Sequence, residues 1–196
     1  MKINYNSRRQ FIKSAALSFG AFSIVPINVL GKRHTPPSDK FNIGVIGTGA
    51  QGMGLSIGFN KLSETQMVAA CDIDKVKYKR FFLEFEKSSN SGKNNKKNQL
   101  FFTDNYFDLL NRNDVDGVVV STPDHWHAAM SIDAMRLGKH VYCEKPLSHT
   151  IKEGRAMVNA SKRYNRILQT GSMQRSSSNF LIGCQLVRNG YLGKIS

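Results

Sequence analysis

The length, charge and cysteine content of the chain limit what kind of protein it is. Its 196 residues suffice for one well-buried domain and the start of another. The net charge of +14 raises the question of nucleic-acid binding, but the basic block EKSSNSGKNNKKNQ (residues 86–99) contains no aromatic residue to stack on a base. This block is typical of a solvated surface insertion, and three cysteines without a C-x-x-C pair exclude a disulfide scaffold.

Residues 1–31 have the pattern of an export signal. The stretch SRRQFIK contains Arg8 and Arg9 and precedes the apolar run SAALSFGAFSIVPINVL, which resembles a bacterial twin-arginine signal. The alternative is a buried amphipathic helix that follows two arginines by chance. We expect transport of the folded protein to the periplasm by the twin-arginine translocase, with membrane anchoring if the segment is not cleaved. Residues 32–40 then form a linker.

Beyond the linker, short apolar runs alternate with amphipathic ones. The strand patterns are FNIGVIG (41–47), TQMVAACD (65–72), LFFT (100–103), VDGVVVST (115–122), KHVYCE (139–144) and RILQTG (166–171). The helix patterns are GMGLSIGFNKL, DKVKYKRFFLEFEK with Val76, Phe81, Phe82 and Phe85 as its apolar residues, the segment from Tyr106 to Leu110, HAAMSIDAMRLG, TIKEGRAMVNASKRYN and NFLIGCQLVRNG. The alternation predicts an α/β fold with a doubly wound parallel sheet, because strands that are apolar throughout need helices on both faces.

The first strand leads into a glycine-rich turn. Gly47, Gly49 and Gly52 form a G-x-G-x-x-G motif between a strand and a helix, the context that makes this motif specific for a dinucleotide. Gly47 permits a tight turn, Gly49 lets the backbone approach a pyrophosphate, and Gly52 allows close packing of helix on strand. The helix N-terminus then offers free N–H groups to the phosphates.

An acid at the end of the second strand supports this interpretation. Asp72 follows Gly52 by the interval at which a carboxylate binds the adenosine ribose and repels a 2′-phosphate. It could instead be an N-cap of the next helix, a role that Asp74 could equally fill. The pattern favours NAD as the cofactor and makes NADP less favourable, although Lys75 and Lys77 could soften the repulsion.

Two further motifs end the fourth and fifth strands, STPDHWH (121–127) and CEKP (143–146). The carboxyl ends of parallel strands form the ligand-binding edge of such a sheet, so both motifs should border the nicotinamide. Lys145 could bind a substrate hydroxyl and stabilise a developing alkoxide. Pro146 would hold Lys145 extended, and the bond between them could be cis.

These motifs together resemble the Gfo/Idh/MocA family (glucose–fructose oxidoreductase, inositol dehydrogenase and relatives) from about Phe41 to Gly190. The resemblance implies a Rossmann domain, here residues 41–170, and an α/β substrate domain that residues 171–196 only begin. It implies NAD-dependent hydride transfer with a sugar or polyol, and substrate access near TGSMQR (170–175). Lys145 would be catalytic. The predicted cofactor-binding residues are Gly47, Gly49, Ala50, Gln51, Gly52, Asp72, Ser121, Thr122, Pro123, His127, Glu144 and Lys145.

Several alternatives stay open at this point. Some similar family members use tightly held NAD to cleave glycosides, and the N-terminal half does not distinguish them from dehydrogenases. The family's proton acceptor lies in the substrate domain, which the chain does not reach, so a non-catalytic or truncated dinucleotide-binding protein is a second alternative. A full-length protein would be a homo-oligomer. No metal is expected, because the histidines and Cys143 lack metal-ligand spacing.

Overall fold

The computed structural model describes residues 39–89 and 100–194. The strands are β1 (Phe41–Ile46), β2 (Thr65–Cys71), β3 (Phe101–Thr103), β4 (Gly117–Val120), β5 (His140–Glu144) and β6 (Leu168–Gly171). The helices are α1 (Ala50–Asn60), α2 (Lys75–Ser89), α3 (Tyr106–Leu110), α4 (His127–Arg136), α5 (Ile151–Tyr164) and α6 (Ser178–Arg188). Short 3-10 helices occupy Asp124–Trp126 and Met173–Ser176.

The six strands form one parallel sheet with the order β3-β2-β1-β4-β5-β6. The predicted doubly wound α/β fold is therefore confirmed. The chain leaves β3 at one edge and returns to the middle of the sheet as β4, so the strand order reverses between β1 and β4. In sheets of this kind, a crevice for ligands opens at that reversal, outside the carboxyl ends of the strands.

The sheet has a hydrophobic cluster on each face. One cluster includes Leu109, Met135 and Met157 from α3, α4 and α5, and the other includes Met53 and Phe81 from α1 and α2. Strand residues contribute to both clusters because successive side chains of a strand point to opposite faces. The continuously apolar strands thus bury both faces, as the sequence predicted.

The apolar residues of α2 differ in how far they are buried. Phe81 and Phe85 are buried, with their rings stacked 5.6 Å apart, but Val76 is 77% exposed. Phe81 and Phe85 are four residues apart and share one side of the helix. Val76 precedes Phe81 by five residues, which turns it about 140° away from that side.

The start of α5 is fixed by a capping box. The Thr150 hydroxyl accepts a hydrogen bond from the Glu153 amide at 3.2 Å, and the Glu153 carboxylate accepts one from the Thr150 amide at 2.9 Å. This pair satisfies two amides that the first turn of a helix leaves without partners. The cap also limits the length of the loop that connects β5 to α5.

The predicted export signal and most of the basic block lie outside the described residues, and both stay predictions. No helix in residues 39–89 or 100–194 combines the length and hydropathy needed to cross a membrane.

Candidate functional site

The glycine turn lies at the carboxyl end of β1, and the fold itself demands two of its glycines. Gly47 has a φ of +93°, and a Cβ on it would lie 2.7 Å from the Ser121 carbonyl oxygen. A Cβ on Gly52 would lie 2.0 Å from the Gly47 carbonyl oxygen. Gly47 therefore allows the reversal of the chain, and Gly52 allows α1 to approach it.

Gly49 differs from both, because a Cβ built on it meets no atom within 4 Å. It is the N-cap residue of α1 and makes no side-chain cap, and the first turn of α1 contains no acid. The first amides of a helix have no intrahelical acceptor and carry a partial positive charge. Packing within the chain therefore does not explain a glycine at this position. An anion that binds these amides would explain it.

Asp72 is tied to the glycine turn through Oδ2, while its Oδ1 accepts a hydrogen bond from the amide of Asp74, just before the following helix, at 2.9 Å. Its Oδ2 accepts hydrogen bonds from the Thr48 amide and the Thr48 hydroxyl, both at 2.7 Å. Asp74 caps α2 instead, since its Oδ1 accepts from the amides of Val76 at 2.9 Å and Lys77 at 3.3 Å. The carboxylate of Asp72 is therefore held beside the turn, where an adenosine ribose would lie in a dinucleotide site.

Ser121 supports the turn from the neighbouring strand β4. Its amide donates to the Ile46 carbonyl at 2.9 Å, and its hydroxyl donates to the Gly47 carbonyl at 2.7 Å. The hydroxyl of this predicted cofactor-binding residue is thus engaged by the protein. The following Thr122 has its hydroxyl 3.7 Å from the Met130 sulfur.

His127 begins α4, directly after the 3-10 helix that follows Pro123. It is only 1% exposed. Its Nδ1 lies 2.7 Å from the Pro146 carbonyl oxygen and its Nε2 lies 2.8 Å from the Thr122 carbonyl oxygen. The imidazole therefore lies between the loops that follow β4 and β5, and its predicted role in lining the cofactor stays a prediction.

Glu144 ends β5 with a carboxylate that is only 4% exposed. Its Oε1 accepts a hydrogen bond from the Gln51 side-chain amide at 3.1 Å, and its Oε2 accepts one from the Lys145 amide at 3.2 Å. A Cβ on Gly171 would lie 2.7 Å from Glu144 Oε1, so the end of β6 also fits around this carboxylate. Glu144 thus joins the first turn of α1 to the backbone of Lys145.

Lys145 is exposed at the same edge, and its bond to Pro146 is cis. Within the described part of the chain, its ammonium makes no hydrogen bond or ion pair. The backbone of Lys145 is held by Glu144 while the side chain extends into solvent. An ammonium in that position is available to a ligand oxygen at the carboxyl edge.

The remaining predicted residues lie at the same edge. Ala50 is exposed at the start of α1, and Pro123 is exposed after β4. The segment predicted for substrate access follows β6, with Met173 46% exposed in its 3-10 helix. The structure therefore places all of the predicted site residues around the carboxyl ends of β1, β2, β4 and β5.

The cysteines and histidines near this edge do not form a second reactive centre. Burial raises the pKa of Cys71 to about 12 and that of Cys143 to about 11, so both stay thiols at neutral pH. His125 and His149 each lie 3.8 Å from Asp124. Among residues 39–89 and 100–194, no cluster of three or more potential ligands is placed to hold a metal ion.

Sequence reasoning missed Thr48 and the bridging position of His127. Thr48 is 2% exposed and holds Asp72 through two hydrogen bonds. The only sequence signal was a hydroxyl residue between the first two glycines of the motif. The partners of His127 are Thr122 and Pro146, which lie 24 residues apart in the sequence, and no local pattern indicates that their loops meet.

The sheet order, the glycine turn at its reversal point and the acid after β2 define a dinucleotide-binding Rossmann domain. Residues 41–172 match the family model GFO_IDH_MocA, which is described as an oxidoreductase family with an NAD-binding Rossmann fold. The chain belongs to this family, and the resemblance drawn from its motifs is confirmed.

Curated relatives and solved structures agree with this assignment. The chain is 30% identical to "Glycosyl hydrolase family 109 protein 1" of Shewanella sp. (strain ANA-3), over 96% of the chain and 44% of that protein. It is 35% identical to "Glycosyl hydrolase family 109 protein" of Solibacter usitatus, over 82% of the chain and 36% of that protein. A myo-inositol 2-dehydrogenase structure from Lactobacillus plantarum matches with a TM-score of 0.62 and 30% identity, covering 80% of the chain and 43% of that structure. The chain thus spans less than half the length of these three proteins.

Proposed function

We propose that this chain binds a nicotinamide dinucleotide across the carboxyl edge of its sheet and serves as the cofactor-binding part of a sugar or polyol oxidoreductase. The observation that carries the proposal is the open space at Gly49, between two glycines that the fold requires. The first amides of α1 would hold the pyrophosphate there, and Asp72 would hold the adenosine ribose. Lys145 lies farther along the same edge, directly after β5. The nicotinamide end of the dinucleotide would extend toward it.

The chemistry proposed for Lys145 follows from its free ammonium. It would donate a hydrogen bond to the oxygen of a substrate carbinol and stabilise the negative charge that develops there as the carbinol is oxidised. When bound, the nicotinamide supplies the hydride acceptor. Glu144 keeps the backbone of Lys145 in place during this step through its contact with the Lys145 amide. We place the proton acceptor in the substrate domain that the family resemblance implies.

Fluorescence titration tests the binding part of this proposal. Trp126 is the only tryptophan of the chain and is half exposed beside the edge. NADH bound at this edge should quench the tryptophan emission. Energy transfer from Trp126 should at the same time increase the emission of the bound NADH. Saturable quenching with NADH or NADPH supports the proposal. A protein that is folded by circular dichroism, yet shows no saturable change with either dinucleotide, contradicts it.

A second candidate activity is cleavage of glycosides with a tightly held NAD. The observation that favours it is the name of the curated relatives, glycosyl hydrolase family 109. A dehydrogenase leaves net NADH, which absorbs at 340 nm, for each polyol that it oxidises. A hydrolase of this kind releases sugar without net NADH. Absorbance and sugar release measured in parallel on the full-length protein therefore distinguish the two activities.

We expect replacement of Asp72 by Asn to narrow the preference for NADH over NADPH. The Asp72 carboxylate should repel the 2′-phosphate of NADPH, and Asn removes its charge while keeping its size. The measurement is the ratio of the two dissociation constants, with thermal unfolding monitored because Thr48 also contacts Asp72. Asp74→Asn is the matched control, since it removes a charge two residues away and retains a helix cap. Equal affinities for NADH and NADPH in the unaltered protein would show that Asp72 does not select the cofactor.

We also propose that the protein is exported in its folded state to the periplasm. Nicotinamide dinucleotides are made in the cytosol, so a protein that uses one outside the membrane must fold around it before transport. Arg8 and Arg9 support this proposal by their position before an apolar run.

Replacing Arg8 and Arg9 together by lysine should block this export. The change keeps the positive charge but removes the planar guanidinium groups that a twin-arginine signal presents. We expect folded protein to accumulate in the cytosol, as measured by fractionation of expressing cells. An ordinary secretory signal depends on positive charge and should tolerate the change. Equal periplasmic amounts of the two versions would therefore refute the twin-arginine assignment.

A further inference from the structure

We infer that His127 is a positioning residue that sets the orientation of Lys145, rather than a residue that touches the cofactor. The inference rests on the proposed function in taking Lys145 as the group that meets the substrate oxygen. His127 would act by holding together the loop after β4 and the loop after β5. Lys145 belongs to the second of these loops.

The contacts of His127 account for both of its ring nitrogens. Nδ1 faces the Pro146 carbonyl at 2.7 Å and Nε2 faces the Thr122 carbonyl at 2.8 Å. A neutral imidazole has one N–H and can donate to one of these carbonyls, whereas a doubly protonated ring donates to both. With both nitrogens directed at carbonyls and 1% of the residue exposed, the ring has no free polar atom to offer a ligand.

The loop after β5 is held at successive positions around Lys145. The Lys145 amide donates to Glu144 on one side at 3.2 Å, and the Pro146 carbonyl meets His127 on the other. The Cys143 thiol adds a weak contact to the Leu147 carbonyl at 3.8 Å. The backbone that bears Lys145 is thus fixed on both sides while its ammonium stays free. Removing His127 would release one side and leave the carbonyls of Pro146 and Thr122 without their contacts to the imidazole.

Three substitutions separate the two contacts. In His127→Asn, the side-chain amide nitrogen is attached at the same carbon as Nδ1 and can still reach Pro146. In His127→Gln, the amide nitrogen lies near the position of Nε2 and can still reach Thr122. His127→Leu keeps an apolar side chain of similar size and makes neither contact. The control is His140→Asn, which alters a histidine at the opposite end of β5, where Nδ1 accepts from the Ile167 amide at 3.0 Å.

The readout is the environment of Lys145 itself. Lysines dimethylated with ¹³C give separate NMR signals, and the Lys145 signal is assigned by its absence in Lys145→Arg. The measurements are made without any dinucleotide. We expect the chemical shift of the Lys145 signal to change in His127→Leu and His127→Gln, which lose the Pro146 contact. It should stay close to its original value in His127→Asn, which keeps that contact. The His140→Asn control should leave it unchanged. A purely structural role for His127 would lower the unfolding temperature of all three variants without this dependence on which contact is kept.

The outcomes separate this inference from the proposed function. If the Lys145 signal is the same in His127→Asn, His127→Gln and the unaltered chain, the inference is wrong, whatever the chain binds. Suppose that the Lys145 signal shifts only in the variants that lose the Pro146 contact, but NADH titration shows no binding. His127 then does position Lys145, and the proposed function fails. If His127→Leu does not fold, the comparison of Asn with Gln still decides the question.

Discussion

Gly49→Val is expected to fold like the unaltered chain and to lose its affinity for NADH. A Cβ on Gly49 would meet no protein atom within 4 Å, so the native packing leaves room at the point where the valine side chain begins. The side chain would, however, fill the space in which the pyrophosphate is expected to contact the first amides of α1. We expect the dissociation constant measured by calorimetry to rise about 100-fold or more, or ~2.8 kcal/mol of binding free energy. Unchanged affinity in a folded Gly49→Val protein would remove the main support for the proposed cofactor site.

Two other glycines of α1 serve as controls for this result. A Cβ on Gly54 would also meet no atom within 4 Å, and Gly54→Ala should keep its NADH affinity and gain about 0.5 to 1 kcal/mol of stability. Gly52→Ala should behave in the opposite way, because its Cβ would lie 2.0 Å from the Gly47 carbonyl oxygen. It should lower the unfolding temperature and weaken binding together. Loss of binding without loss of stability is thus expected for Gly49 alone among these three positions.

Lys145→Ala in the full-length protein is expected to lose turnover while keeping its affinity for NADH. The phosphate and ribose contacts are assigned to the glycine turn and Asp72, which the substitution does not touch. Removing a charge-assisted donor from a developing alkoxide costs about 2.7 to 4 kcal/mol of transition-state stabilisation, or 10²- to 10³-fold in kcat, by analogy with oxyanion donors. The measurement is the rate of NADH formation with polyol substrates, beside a separate NADH titration.

A control variant removes the same charge elsewhere on the chain. Lys162 is exposed in the last turn of α5, at the end of the helix away from the carboxyl edge, so Lys162→Ala lowers the net charge by one without altering that edge. It should retain both turnover and NADH affinity. A Lys145→Ala enzyme with the rate of the unaltered protein would exclude Lys145 from the chemistry.

The parts of the fold that depend on local patterns could be predicted from the sequence. The alternation of apolar strands with helices was sufficient for the parallel sheet, and the glycine spacing was sufficient for the turn at Gly47, because each strand, helix and turn has its own local pattern. Val76 is exposed although it is apolar, because its spacing from Phe81 places it on another side of α2.

Contacts between distant segments could not be predicted in this way. The hydrogen bonds from Thr48 to Asp72 and the bridge from His127 to Pro146 depend on how separate loops approach each other. Asp72 and Asp74 were indistinguishable as helix caps in the sequence, and only the geometry shows that Asp74 fills that role. The spacing of motifs in the sequence therefore indicates which residues lie at the carboxyl edge. The contacts that each residue makes there depend on how the sheet assembles.

The support of the glycine turn by β4 has a consequence for the order of events during synthesis. Gly47 rests on Ser121, and β1 pairs with β4 through Ile46 and Val120, so the turn depends on a part of the chain made much later. Such long-range pairing forms slowly, because a large loop must close before any contact stabilises it. A nascent chain that has not reached Val120 therefore contains the whole glycine motif without the neighbour that shapes it. Capture of a dinucleotide would then be a late event in biogenesis, following completion of the central strands and not the appearance of the motif.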